Sequence, residues 1–119
     1  MSDLSAEAES FVCGWLEERG WSVLCRNFRT RRAEIDLIAA REDITAFVEV
    51  KFAGDGSRTI ALEKIDSVKQ SRIVRGALAY LSANPASGQV RFDVAVVRGS
   101  SGDMRMGEYI EDAFRPGID

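Results

Sequence analysis

Asp36, Glu49 and Lys51 are the residues whose types and spacing best suit chemistry in this chain. An aspartate, a dozen residues and then Glu-x-Lys put two carboxylates and an ammonium on what read as neighbouring strands. Alternate residues of a strand share a face about 6.5–7 Å apart, so Glu34 and Asp36 are expected to point one way, as are Glu49 and Lys51. Pairing of the two strands across a turn would bring Asp36, Glu49 and Lys51 to a common point. Two carboxylates repel and resist burial, so something positive must hold them: Lys51, an arginine or a hard cation. Mg²⁺ explains most with least, taking oxygen ligands from Asp36, Glu49 and a neighbouring backbone carbonyl. Lys51 would then orient or help deprotonate an attacking water, or stabilise charge building on a phosphate during in-line displacement. Glu9 would complete the metal shell, and Lys69 or Gln70 would contact phosphate. The bare pattern is short enough to recur by chance, and it also fits an exposed hairpin whose Glu–Lys pair is worth at most about 1 kcal/mol.

Composition narrows the alternatives. The chain has no histidine, which excludes Ser-His-Asp and Cys-His nucleophiles, His-rich zinc sites and histidine general bases. Carboxylates, lysine and oxygen-liganded metals remain. Cys13 and Cys25 fall in apolar helix and strand segments and read as small core hydrophobes, neither a disulfide nor a metal site. The net charge of −3 counts against a polyanion partner, but its distribution does not. Residues 25–32 hold four arginines and no acid, residues 33–50 hold five acids against one arginine, and Lys64, Lys69, Arg72 and Arg75 follow. An acidic patch between basic flanks suits a metal site acting on a polyanion, as well as ordinary solvated helix faces.

The elements that must position these residues follow from periodicity. Leu4, Ala8, Phe11, Val12, Trp15 and Leu16 predict an amphipathic helix over 4–19 that stops at Gly20, with Glu9 at the edge of its apolar stripe. Helix geometry alone favours a solvated Glu9 over one aimed into a cleft. Strands are predicted over 21–27, 33–40 and 44–52, the last two joined by the turn "REDI", and "AGDGSR" reads as a flexible loop after Lys51. A second helix should start after Asp66 as N-cap and run to about Asn84, burying Ile73, Val74, Ala77, Leu78 and Leu81. "VRFDVAVVR" (90–98) reads as a central strand, and "MRMGEYI" as a weaker strand or irregular segment. The order is α-β-β-β-α-β with a tail. At 119 residues and 45% hydrophobic content, one domain over 1–119 of the α/β class is expected, with a mixed central sheet flanked by helices.

"AEIDLIAA", "FVEVKF", "VKQSRIVRGALAYL", "RFDVAVV" and "DAF" resemble, in order, the motif blocks of the YraN-like family of bacterial proteins, over nearly the whole chain. That family is assigned to the restriction-endonuclease-like fold of the PD-(D/E)XK nucleases, near the Holliday junction resolvases. The resemblance makes Asp36 and Glu49 metal-binding acids and Lys51 the motif lysine. Glu9 matches a helix glutamate of the site, and Glu34 the glutamate of a Gly-Glu-Ile-Asp block. Lys69 and Gln70 match a Lys-Gln pair opening the second helix. It implies a Mg²⁺- or Mn²⁺-dependent phosphodiesterase acting on DNA, branched DNA included. Ala8 and Ala33 stand where the family usually has glycine, Phe52 where a polar residue commonly follows the lysine, and Tyr109 where histidine is frequent.

Two readings result. In the first, the protein is a metal-dependent nuclease with Asp36, Glu49, Lys51 and Glu9 as catalytic residues and Asp36, Glu49 and Glu9 holding metal. Glu34 and Gln70 support the site from behind, and Arg26, Arg29, Arg31, Arg32, Lys69 and Arg72 grip nucleic acid. In the second, the same fold binds DNA or a protein partner without catalysis. A homodimer fits either. No apolar run is long enough to span a bilayer and the N-terminus lacks signal-peptide character, so no membrane partner and a cytoplasmic location are expected.

Overall fold

The computed structural model describes residues 4–53 and 66–115. The helix α1 spans Leu4–Glu18, strands β1, β2 and β3 span Ser22–Arg29, Glu34–Arg41 and Ile44–Phe52, helix α2 spans Ser67–Ala83, and β4 and β5 span Gln89–Ser100 and Asp103–Ile110. The strands form one mixed sheet in the order β1-β2-β3-β4-β5. Among the described residues only β3 and β4 run parallel, and α2 follows β3 and precedes β4 in the chain. The segment around "MRMGEYI" is therefore a complete antiparallel edge strand, pairing from Val94↔Ile110 to Ser100↔Asp103. The expected "AGDGSR" loop and Lys64 lie outside the described residues, Ala53 apart.

The helices cover opposite faces of the sheet. Ala8, Val12, Cys13 and Leu16 of α1 pack on Leu37, Ala39, Ala46, Val48, Ala95 and Val97, where the alanines leave room for a close helix. On the other face Ile73 and Ala77 of α2 join Ile35, Ile38, Phe47, Val94 and Val96. Gly76 belongs to this contact, because a Cβ there would stand 2.9 Å from Ile35 Cγ1. Leu78, expected on the buried face, is 63% exposed, and Tyr80 packs there instead, edge-on to Phe28 and Phe47. Leu4, expected in the stripe of α1, lies at the exposed first turn.

Asp66 caps α2 as its sequence position suggests, accepting from the backbone N–H of Lys69 at 2.9 Å. The β2–β3 hairpin turns at Glu42–Asp43, with Glu42 in the left-handed region at φ 55°. Gln89 N–H donates to Asp43 O at 2.7 Å, and Gly88 permits that approach, since a Cβ there would collide with the same oxygen.

Among the buried charged side chains of the described residues, Arg91 and Asp93 form a network that sequence reading passed over. The Arg91 guanidinium donates twice to the Asp93 carboxylate at 2.9 Å. Tyr109 Oη donates to the same carboxylate at 2.7 Å and Asp112 N–H at 3.0 Å. Burial first, and then the Asp93 charge, push the Tyr109 phenol well above its usual range, so it stays a donor. With its ring stacked on Trp15 at 4.9 Å, Tyr109 ties β5 to α1 and to the floor of the sheet. Arg-x-Asp inside an otherwise apolar strand was the available signal: a central strand tolerates such charges only when they satisfy each other.

Candidate functional site

Regular alternation along β2 slips at one point, and the site lies there. Leu37 and Ala39 pack under α1, whereas Ile35 and Ile38 both pack under α2 although three positions apart. The alternation therefore slips beside Asp36. Opposite, on β1, Asn27 takes the left-handed conformation at φ 53°, between the pairs Arg26↔Leu37 and Phe28↔Ile35. Asparagine adopts that conformation at lower cost than most residues, and a kink of this kind re-aims side chains. β1 thus continues through Asn27 to Arg29 instead of ending at Asn27 as the sequence suggested.

The β2–β3 ladder runs from Arg41↔Ile44 to Leu37↔Val48. Beyond it, the Asp36 carboxylate accepts from the backbone N–H of Val50 at 2.8 Å. A side chain thus takes over where strand pairing stops, and the carboxylates of Asp36 and Glu49 come within hydrogen-bonding reach of each other. Burial, followed by the Glu49 charge, raises the Asp36 carboxyl to about 7 despite the Val50 N–H, and Glu9 adds to the rise.

Both lysines converge on one oxygen of this pair. Glu49 Oε2 lies 2.6 Å from Lys69 Nζ and 3.6 Å from Lys51 Nζ. Desolvation and then the adjacent Lys69 lower the Lys51 ammonium from its usual value. Burial acts to lower Lys69 too, but its contacts with Glu49 and Lys51 outweigh that and raise it. The expected convergence of Asp36, Glu49 and Lys51 is thus present, joined by a residue assigned to phosphate contact: Lys69 reaches into the acid pair.

Glu9 is only 8% exposed and faces the cleft from α1, unlike the solvated glutamate that helix geometry favoured. Among the described residues no three acidic or sulfur side chains gather closely enough to cage a metal by themselves. Through its charge Glu9 acts on Asp36 from across the cleft. The donors that do meet, Asp36 and Glu49, are hard oxygens of the kind that suit Mg²⁺ or Mn²⁺ rather than soft metals.

Two cavities that share Glu34, Asp36, Glu49 and Lys69 in their walls flank the pair. One, of about 140 Å³, is lined by Glu34, Asp36, Glu49, Lys69, Arg72 and Ile73. The other, of about 360 Å³, opens toward α1 past Glu9, Asn27, Arg29 and Lys51. Glu34 stands at their shared rim and pairs with Arg29 at 3.1 Å, so it positions an arginine there. The remaining expected residues are scattered. Arg31 and Arg32 are exposed on the β1–β2 turn. Arg26 donates to Ser10 Oγ at 2.9 Å in a separate groove between α1 and β1. Gln70 is half-buried beside Lys69 but lines neither cavity.

A model of the uncharacterised protein family UPF0102 matches residues 8–97. A UPF0102 protein of Halorhodospira halophila is 40% identical over 109 residues, covering 92% of this chain and 84% of the relative. One from Chlorobium phaeobacteroides is 41% identical over 96 residues, covering 80% and 76%. One from Bacteroides thetaiotaomicron is 34% identical over 115 residues, covering 97% and 94%. The matched span contains Glu9, Asp36, Glu49, Lys51 and Lys69.

Proposed function

The chain belongs to the uncharacterised protein family UPF0102, and from that premise we propose that it is a divalent-metal-dependent nuclease hydrolysing DNA phosphodiester bonds. One observation carries the reading. Asp36 and Glu49 meet where β2 and β3 part, with Asp36 holding its proton up to about pH 7 and Lys51 alongside. Two carboxylates forced together in a half-buried cleft are poorly satisfied by protein alone, and a hard divalent cation suits them. The order of elements and the Asp, Glu-x-Lys motif also agree with the resemblance to PD-(D/E)XK nucleases.

Asp36 and Glu49 hold Mg²⁺ or Mn²⁺ in this reading. When bound, the cation neutralises phosphate charge and makes water a stronger acid. Val50 N–H fixes the Asp36 carboxylate, so that side chain is oriented before any ligand arrives. Lys51, anchored on a central strand, orients the attacking water and stabilises negative charge developing on the phosphate. Arg72 on one side and Arg29 on the other offer guanidinium groups to neighbouring phosphates, and Glu34 holds Arg29 in place.

A second reading, DNA or protein binding without catalysis, draws support from the two lysines that already counter Glu49 within the chain. Labelled single-stranded, duplex, flap and four-way-junction DNA incubated with the pure protein and Mg²⁺ or Mn²⁺ separates the two. Metal-dependent cleavage of any of these supports the nuclease. Salt-sensitive binding to all of them without cleavage supports the second reading.

A further inference from the structure

We propose that Lys69 is an exchangeable counter-cation: its ammonium occupies Glu49 in the metal-free protein, and a divalent cation must displace it to bind. The inference rests on the metal-dependent reading above and concerns how that site is regulated.

The geometry distinguishes the two lysines. Lys69 Nζ is the nearer to Glu49 Oε2, at 2.6 Å against 3.6 Å for Lys51 Nζ. Lys69 Nζ already holds Glu49 Oε2 at hydrogen-bond distance, so a cation that takes this oxygen competes first with Lys69. Lys51 extends from β3, which is paired along its length with β4, and its side chain is 22% exposed. Lys69 extends from the first turn of α2, its side chain is 38% exposed, and it lines both cavities. Lys69 can therefore leave Glu49 by side-chain rotation into solvent, without disturbing the sheet.

Its place in the helix supports the same conclusion. The first turn of α2 carries no acidic residue, and a cation there opposes the partial positive charge of a helix N-terminus. Local helix chemistry favours an acid at that point, so the lysine breaks a local rule in favour of a contact made at the site. Asp66 pins the backbone of Lys69, which sets the reach of the side chain while leaving its end free to move.

Calorimetric titration of Mn²⁺ into the full chain tests this, comparing wild type with Lys69→Met, Lys69→Gln, Lys69→Arg and Arg75→Met. Removing the competitor should tighten Mn²⁺ binding about tenfold in Lys69→Met and Lys69→Gln, the scale of one charge-assisted hydrogen bond no longer broken. Lys69→Arg, which retains a competing cation, should stay near wild type. Arg75, exposed on α2 and lining neither cavity, controls for the general field of a nearby positive charge, and Arg75→Met should change affinity by less than about twofold. Wild-type binding with no tightening in either neutral variant would overturn the exchange, as would equal tightening by Arg75→Met. Absence of Mn²⁺ binding in every protein would instead remove the metal-dependent reading, and the exchange with it.

Discussion

The backbone N–H of Val50 donates to the Asp36 carboxylate at 2.8 Å, just beyond the last β2–β3 pair, Leu37↔Val48. This contact lets two strands separate without stranding a buried donor, which would otherwise carry a penalty of about 1–3 kcal/mol. The separation opens the cleft, and the same carboxylate that permits it belongs to the acid pair. Fold and site thus meet at one side chain.

Asp36 should make stability depend on pH in an unusual direction for an acid. Its proton leaves the unfolded chain near 3.8, the ordinary aspartate value, but stays on the native protein to about 7. Between those values the native state binds more protons, so the stability contributed by this group is full below the lower value and lost as pH rises to the upper one. In chelator-containing buffer, thermal melting of Asp36→Asn should gain on wild type steadily from pH 4 to 7 and hold that gain above it. A constant difference across this range would contradict the raised carboxyl.

Asn27 should resist most substitutions despite its exposure. Glycine adopts φ 53° freely, so Asn27→Gly should melt close to wild type, whereas Asn27→Val should lose about 1–2 kcal/mol because a β-branched residue is strained there. Urea denaturation measures both. Equal stability of the two variants would mean that the kink opposite Asp36 is not needed.

The Asp93 network should matter for stability and not for metal binding. Removing one partner of a buried ion pair typically costs about 3–5 kcal/mol, so Asp93→Asn should be severely destabilised, and Tyr109→Phe should lose about 1 kcal/mol. Chemical denaturation gives the energies. Calorimetry on Tyr109→Phe should return wild-type Mn²⁺ affinity.

Basic residues should divide by position. Arg72 and Arg29 line the cavities, while Arg26 is held against Ser10 in another groove. Charge reversal at Arg29 or Arg72 should weaken DNA binding and reduce its dependence on log salt by about one unit each, and Arg26→Glu should do neither. Fluorescence anisotropy over a salt series measures this. Equal effects at all three sites would point to diffuse attraction.

Much of this was legible in the residues. The caps of α2, the β2–β3 hairpin and the grouping of Asp36, Glu49 and Lys51 follow from local rules that tertiary packing did not override. Other features escaped for identifiable reasons. The kink at Asn27 breaks strand periodicity, so the pattern ended β1 two residues early. Leu78 lost its expected burial because the close approach at Gly76 rotates α2 toward Tyr80, which side-chain polarity does not encode. The pairing of Lys69 with Glu49 joins residues 20 positions apart through packing of α2 on the sheet, which no spacing rule specifies. Glu9 sat on the boundary between two faces, where a helical wheel cannot choose.

The most direct test of the site is the rate of DNA cleavage against Mn²⁺ concentration for wild type, Asp36→Asn, Glu49→Gln and Lys51→Met. Wild type should show saturable, metal-dependent cleavage. Asp36→Asn and Glu49→Gln should lose it by about a hundredfold or more, and Lys51→Met should lose rate while still binding metal. Cleavage that persists in all three variants, or a wild-type protein that cleaves no DNA at any Mn²⁺ concentration, would contradict a nuclease built on Asp36, Glu49 and Lys51.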